Sequence, residues 1–205
     1  MRSVEKQGKT VDEAIALALA ELGVGMEQVE TEVLEEPSRG FLGIIGGKLA
    51  KVRVTLKPDP LQILEDFVRG VCERMGSPVE VEIATEDEAV KVDLEGPSLG
   101  LIIGRHGQTL DSLQYLAIVV YNRYAEVRQR VVVDAGGYRE RRKQTLLRLA
   151  NRLAEKAKRT GRRIMLEPMK AHERRIIHTA LQHDNQIVTY SEGQEPHRKV
   201  VIALK

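Results

Sequence analysis

Two short stretches of this 205-residue chain carry residue types at a spacing suited to holding phosphate. The first is Gly104-Arg105-His106-Gly107, preceded by apolar Leu101-Ile102-Ile103 and followed by Gln108. Two glycines let a chain turn sharply and come close to another backbone. The residues between them are basic or can become so, and a helix starting after Gly107 would aim its N-terminal N–H groups at an anion. The second stretch is Lys170 to His178, in which Arg174 and His178 stand four residues apart and so share a helix face. An arginine fork and an imidazole N–H can receive one phosphate together.

Rival chemistries fail on spacing. A dinucleotide-binding G-x-G-x-x-G would need glycine at 102, where Ile102 stands. A P-loop fails at Gly47-Lys48, with Leu42 and Leu49 in the required positions. Zinc by H-E-x-x-H fails because Ile176 follows His172-Glu173 at the needed place. No Ser/His/Asp or Cys/His constellation can be assembled, and Cys72 lies in an apolar helical pattern. The expectation is a non-enzymatic protein with no metal and no cofactor.

Apolar residues make up 42% and charged residues 30% of the chain, the balance of a globular protein rather than a disordered one. No apolar run approaches the ~18 residues of a membrane span. The N-terminus has no apolar signal region, and the single cysteine cannot form an internal disulfide, which points to the cytoplasm. The net charge of +2 hides an asymmetry: residues 1–60 carry −2, residues 61–135 carry −6 and residues 136–205 carry +10. A basic third of this kind suits a polyanionic partner or a solvated helix face. Aromatic residues are 3%, which disfavours base stacking as the main mode of binding.

The positioning elements read as an α+β protein of three small modules. Residues 1–57 read β-α-β-β: a strand near Ser3-Val4-Glu5, a helix over about 11–22 with Thr10 and Glu13 as a capping box and Gly23 as its stop, a half-buried strand Val29–Leu34, and a strand Lys51–Leu56. Between them Phe41-Leu42-Gly43-Ile44-Ile45 is an apolar glycine-rich turn, suited equally to a protein partner or to its own helix. Residues 58–135 read α-β-β-α-α-β. A helix over about 60–76 carries Leu61, Leu64, Val68, Val71 and Met75; strands follow around Val79–Ile83 and Val90–Leu94, with a hairpin at Thr85-Glu86-Asp87-Glu88. Two helices flank the glycine loop, the second with a stripe of Leu110, Leu113, Leu116, Ala117 and Val120, and a buried strand closes the module at 130–134. Residues 136–205 read α-β-α-β-β: a basic helix over about 138–160 with Leu146, Leu149, Leu153 and Ala157 inward, a strand at 163–166, a helix over about 168–183 opened by Pro168, and strands at 186–190 and 199–204.

The α-β-β-α-α-β order around Gly104–Gly107 resembles a type II KH domain, a family whose GXXG loop clamps about four nucleotides of single strand. The basic helix, the Arg174/His178 helix and the closing hairpin with Arg198 resemble the R-three-H domain, named for its Arg-x-x-x-His pair. The three modules in this order, with Gly40-Phe41-Leu42-Gly43-Ile44 in the first, resemble the bacterial Jag or KhpB family across essentially the whole chain. The resemblance implies a cytoplasmic single-stranded RNA-binding regulator tied to cell division, elongation or envelope synthesis. It also implies a small single-KH partner and an indirect link to a membrane-protein insertase; contacts through the first module or between KH copies, including a homo-oligomer, belong to the alternative of an interaction scaffold. The site residues it implies are Ile103, Gly104, Arg105, His106, Gly107 and Gln108 on the loop, and Lys170, Arg174, Arg175, His178 and Arg198 on the C-terminal face. A single-stranded DNA binder and a protein-interaction scaffold stay open as alternatives.

Overall fold

The computed structural model describes residues 2–38, 48–86 and 89–205. The turn Phe41-Leu42-Gly43-Ile44-Ile45, and Asp87-Glu88 of the expected hairpin, lie outside the described residues. The chain forms two compact units, 1–60 and 61–205.

In the first unit β1 (Ser3–Gly8), β2 (Val29–Glu35) and β3 (Ala50–Leu56) pair antiparallel in the order β1-β3-β2. Helix α1 (Val11–Leu22) starts as its sequence dictates: the Thr10 hydroxyl accepts the Glu13 N–H at 3.1 Å. The Glu13 carboxylate reaches one residue further back than a capping box requires and accepts the Lys9 N–H at 2.6 Å. Gly23, left-handed at φ 71°, ends the helix. Ala14, Ala18 and Leu22 pack on Val29, Val52 and Val54. The expected half-buried β2 is only partly so. Val29 is buried but Val33 is 46% exposed, because α1 lies over β1 and β3 and leaves this end of β2 uncovered.

The second unit contains two sheets. The first is β4 (Glu80–Glu86), β5 (Ala89–Glu95) and β6 (Arg130–Ala135), with β4 antiparallel and β6 parallel to β5. Helices α2 (Pro60–Arg74), α3 (Leu99–Ile103) and α4 (Gln108–Tyr124) supply its core. Leu64, Val68 and Cys72 meet Val90, Val92, Leu94, Ile102, Leu110, Leu113 and Val133. Cys72 is thus a core residue, and burial pushes its thiol pKa up. Met75, expected on this stripe, is exposed because α2 ends at Arg74.

The second sheet, β7 (Ile164–Pro168), β8 (Ile187–Glu192) and β9 (Lys199–Leu204), is antiparallel in the order β7-β9-β8. Helices α5 (Tyr138–Thr160) and α6 (Ala171–Leu181) cover it. The buried face of α5 is Leu146, Ala150, Ala154 and Ala157, with Leu149 and Leu153 at its margin. Three small alanines let α6 and β9 approach the helix closely. Pro168 does not open α6. It ends β7, opposite Lys199, on an edge strand where a missing N–H costs nothing. Met169 N–H then bonds Arg198 O at 3.1 Å, and Lys170, in extended conformation, caps α6.

The two sheets are joined through α5, which leaves β6 after only Gly136-Gly137. Arg139 turns back to donate to Val133 O at 3.0 Å, Asp111 at 2.9 Å and Gln114 at 3.1 Å. Lys170 reaches the other Asp111 oxygen at 2.6 Å. Burial opposes ionisation of Asp111, but Lys170 and Arg139 together outweigh it and hold the carboxyl below the usual range. A hydrogen bond involving a charged group contributes about 1.5–3 kcal/mol. Arg139→Ala is expected to lower the unfolding free energy of the chain by about that amount in urea titration, whereas an exposed control, Arg123→Ala, changes it by under about 0.5 kcal/mol.

Candidate nucleic-acid interface

The loop is built by three unusual backbone conformations within four residues. Gly104 has φ 67° and ψ −171°, a combination open essentially to glycine; His106 is left-handed at φ 53°, and Gly107 at φ 75° leads into α4. A Cβ on Gly104 would collide with Thr109, and one on Gly107 would stand 2.7 Å from the Tyr138 ring. The two glycines therefore answer two needs: a turn that L side chains resist, and a close approach to the first residue of α5.

Arg105, on the outside of the loop, has 78% of its side chain exposed. Its nearest carboxylate is Glu167, at 3.9 Å. Gln108 is exposed and Ile103 half-buried. His106 is held. Its Nδ1 lies 2.7 Å from the Arg142 guanidinium and its Nε2 3.5 Å from Glu167. Arginine only donates, so Nδ1 accepts and the ring proton sits on Nε2. Arg142 in turn donates through Nε to Glu173 at 2.6 Å. Glu173 is 2% exposed, its charge met inside the protein by Arg142. The chain Glu173–Arg142–His106 therefore fixes the glycine loop from α6 through α5. Beside it a cleft of about 700 Å³ opens between the loop and α5, lined by Gly104, His106, Arg141, Arg142, Thr145 and Arg148.

Arg174 and His178 share one face of α6, as their spacing requires, and converge on Ser191 of β8. Arg174, 12% exposed, donates to Met169 O at 3.2 Å, Ser191 Oγ at 3.1 Å and Glu195 at 2.6 Å. With Arg174 donating to Ser191, that hydroxyl is free to donate to His178 Nε2 at 2.9 Å. The Nδ1–H then donates to Thr189 Oγ at 2.7 Å. The pair thus ties α6 to the β8–β9 hairpin, and its polar atoms have protein partners. Arg198 also ties the hairpin, donating to Gly193 O at 2.9 Å. Lys170 is engaged with Asp111, and Arg175 is exposed.

Loop residues 103–108 therefore form one group and Arg174, His178 and Arg198 a second, with Lys170 tying the start of α6 to α4. Sequence reasoning missed Arg142, Glu173, Tyr138 and Asp111. Glu173 was visible as the one acid in Lys170-Ala171-His172-Glu173-Arg174-Arg175, but its partner lies 31 residues away, beyond any local pattern.

Burial and then the Arg174 charge hold the His178 imidazole below its ordinary value. The folded state then binds fewer protons than the unfolded chain, so this contribution is complete above about pH 6.5 and is lost as pH falls below it. Urea midpoints are expected to fall from pH 7 to pH 5, and to fall less in His178→Gln; equal falls would remove His178 from the account. Arg142→Ala leaves Glu173 buried without its partner and is expected to cost about 3–5 kcal/mol. Arg142→Met combined with Glu173→Met should cost clearly less, and urea titration of the three chains measures both.

Residues 6–56 match the Jag N-terminus family model, 62–134 the KhpA/KhpB KH domain, and 144–204 the R-three-H domain. The RNA-binding protein KhpB of Clostridium symbiosum is 45% identical over 209 residues, covering 100% of this chain and 93% of that protein. The RNA-binding protein KhpB of Bacillus subtilis strain 168 is 40% identical over 207 residues, 100% of each. The namesake from Lactiplantibacillus plantarum is 35% identical over 145 residues, 71% of this chain and 45% of that protein. With the three family models met in order and full-length relatives at this identity, the chain belongs to the KhpB family of RNA-binding proteins.

Proposed function

We propose that this chain is a non-catalytic, cytoplasmic binder of single-stranded RNA, with Gly104–Gly107 as its primary backbone grip. The observation that carries the reading is the loop itself: two glycines at positive φ, an Arg105 side chain turned to solvent, and the start of α4 directly behind. Such a loop holds about four nucleotides by their backbone, with Ile103 and Gln108 flanking the strand. The division into modules 1–57, 58–135 and 136–205 goes with this reading. The R-x-x-x-H pair shapes the C-terminal face by fixing Ser191 and the hairpin, and Arg175, Arg198 and Lys170 add positive charge there.

The family resemblance extends the proposal to regulation of cell division and envelope synthesis, to partnership with a small single-KH protein, and to an indirect tie to a membrane-protein insertase. No helix among the described residues is long and apolar enough to cross a membrane. A protein-scaffold reading has one observation in its favour: Tyr115, Leu116 and Val119 leave an apolar strip exposed along α4. Capture of a partner that survives both nuclease and loop mutation would favour it.

Fluorescence anisotropy with mixed-sequence single-stranded RNA and DNA tests the main reading. If about five phosphates are neutralised, log affinity against log salt has a slope near −3.5. Arg105→Asp with His106→Asp should weaken binding at least about tenfold, and Arg105→Asp alone, which leaves the His106–Arg142 contact in place, should weaken it while leaving the thermal midpoint nearly unchanged. Wild-type binding that ignores salt, or loop variants that bind as wild type, would overturn it. Equal affinity for DNA would redirect it to single strands in general.

A further inference from the structure

Helix α5 carries nine Lys/Arg against two Glu; Lys143 lies 3.9 Å from Glu140, and the structure divides the other eight cations into two sets. Arg139, Arg142 and Lys158 turn inward or sideways to protein partners: Asp111, Glu173 and Asp184. Arg141, Arg148, Arg152, Lys156 and Arg159 are exposed and recur every three or four residues from Arg148 onward, so they line one helix face. Among the described residues, none of these five forms an ion pair with any element. Of the two α5 carboxylates, Glu140 accepts from Gln144 at 2.7 Å and Glu155 from Lys158 at 2.9 Å, and neither pairs with a member of the row, which outnumbers them.

The row has a definite beginning. The cleft that opens on Gly104 and His106 is floored by Glu140, Arg141, Thr145 and Arg148, and a second surface cleft of about 680 Å³ lies at the far end between Arg152, Leu153, Glu155, Lys156 and Arg159, so each end carries one carboxylate among its cations. From Arg141 to Arg159 the helix rises ~27 Å. That length is comparable to the span of the about four nucleotides one GXXG loop holds, and it lies on a separate element, so it adds to the loop's contacts. The row also lies on α5, a different element from the Arg174/His178 face, whose polar atoms are taken by Ser191, Thr189 and Glu195.

We infer that a single RNA strand held at Gly104–Gly107 continues along this row of α5, with Arg141, Arg148, Arg152, Lys156 and Arg159 contacting successive phosphates. The inference rests on the RNA-binding reading above and adds a second, sequence-independent part to the site. Phosphate contacts of this kind fix path and length preference and carry no base selectivity.

The test is anisotropy over a salt series, with fluorescein-labelled RNA of about four and about sixteen nucleotides. The chains are wild type, Arg148→Gln/Arg152→Gln/Arg159→Gln, the loop variant Arg105→Asp/His106→Asp, and Arg123→Gln/Arg128→Gln/Arg130→Gln, which removes three exposed cations elsewhere. The row variant should bind the long strand at least about tenfold more weakly, with a salt slope shallower by about 2, and the short strand as wild type does. Circular dichroism melts confirm that it stays folded. Unchanged long-strand binding in the row variant, with a weakened loop variant, overturns this inference and leaves the RNA-binding reading standing. An equal loss in the control variant overturns it as an effect of bulk charge. A wild type that binds neither strand overturns the RNA-binding reading and this inference with it.

Discussion

Placing a carboxylate inside a protein is costly unless a positive group meets it there, and the Glu173–Arg142 pair is where this chain meets that condition. Glu173 comes from α6, Arg142 from α5, and the same guanidinium holds His106 of the glycine loop. One ionic contact therefore sets the relation of three elements. A loop with three residues at positive φ needs surroundings that over-determine it, and here they come from the C-terminal half of the unit. The KH loop is completed by its neighbour, which accounts for residues 61–205 forming one compact unit while the sheets within it are separate.

The same economy governs α5. Its cations read as one basic run in the sequence. In the folded chain three are spent on Asp111, Glu173 and Asp184, which fix the helix in place, and the others face solvent. Fixation and the proposed strand contacts thus fall to different residues of one helix. The R-x-x-x-H pair belongs to the fixing set. Arg174 and His178 share Ser191 and brace the hairpin, so their contribution to binding runs through the surface they hold in shape.

Much of this was legible in the sequence because it is local. The bounds of α1 follow from Thr10 and Gly23, those of α5 from Gly137 and Gly161, and the loop from its two glycines. The shared face of Arg174 and His178 follows from a spacing of four. What escaped was set by contacts distant in sequence. Pro168 reads as a helix opener, but pairing with β9 claims it for a strand. Val33 reads as half-buried, but α1 lies over β1 and β3 and not over that end of β2. Leu149 and Leu153 read as core, yet alanines take the closest approach to α6 and β9, displacing the larger side chains to the margin. Arg142 stands in the basic run of α5 with nothing local to single it out, and only the fold brings Glu173 and His106 to it.

The central claim is that RNA is gripped where the glycine loop meets the start of α5. Its most direct test is a titration of the ¹⁵N-labelled full chain with single-stranded RNA, followed by amide chemical shifts. The account predicts that the largest shifts gather at Gly104–Gln108 and along the exposed face of α5 beginning at Arg141. Shifts confined to residues 2–60, or to the Tyr115–Val119 strip of α4, would contradict it.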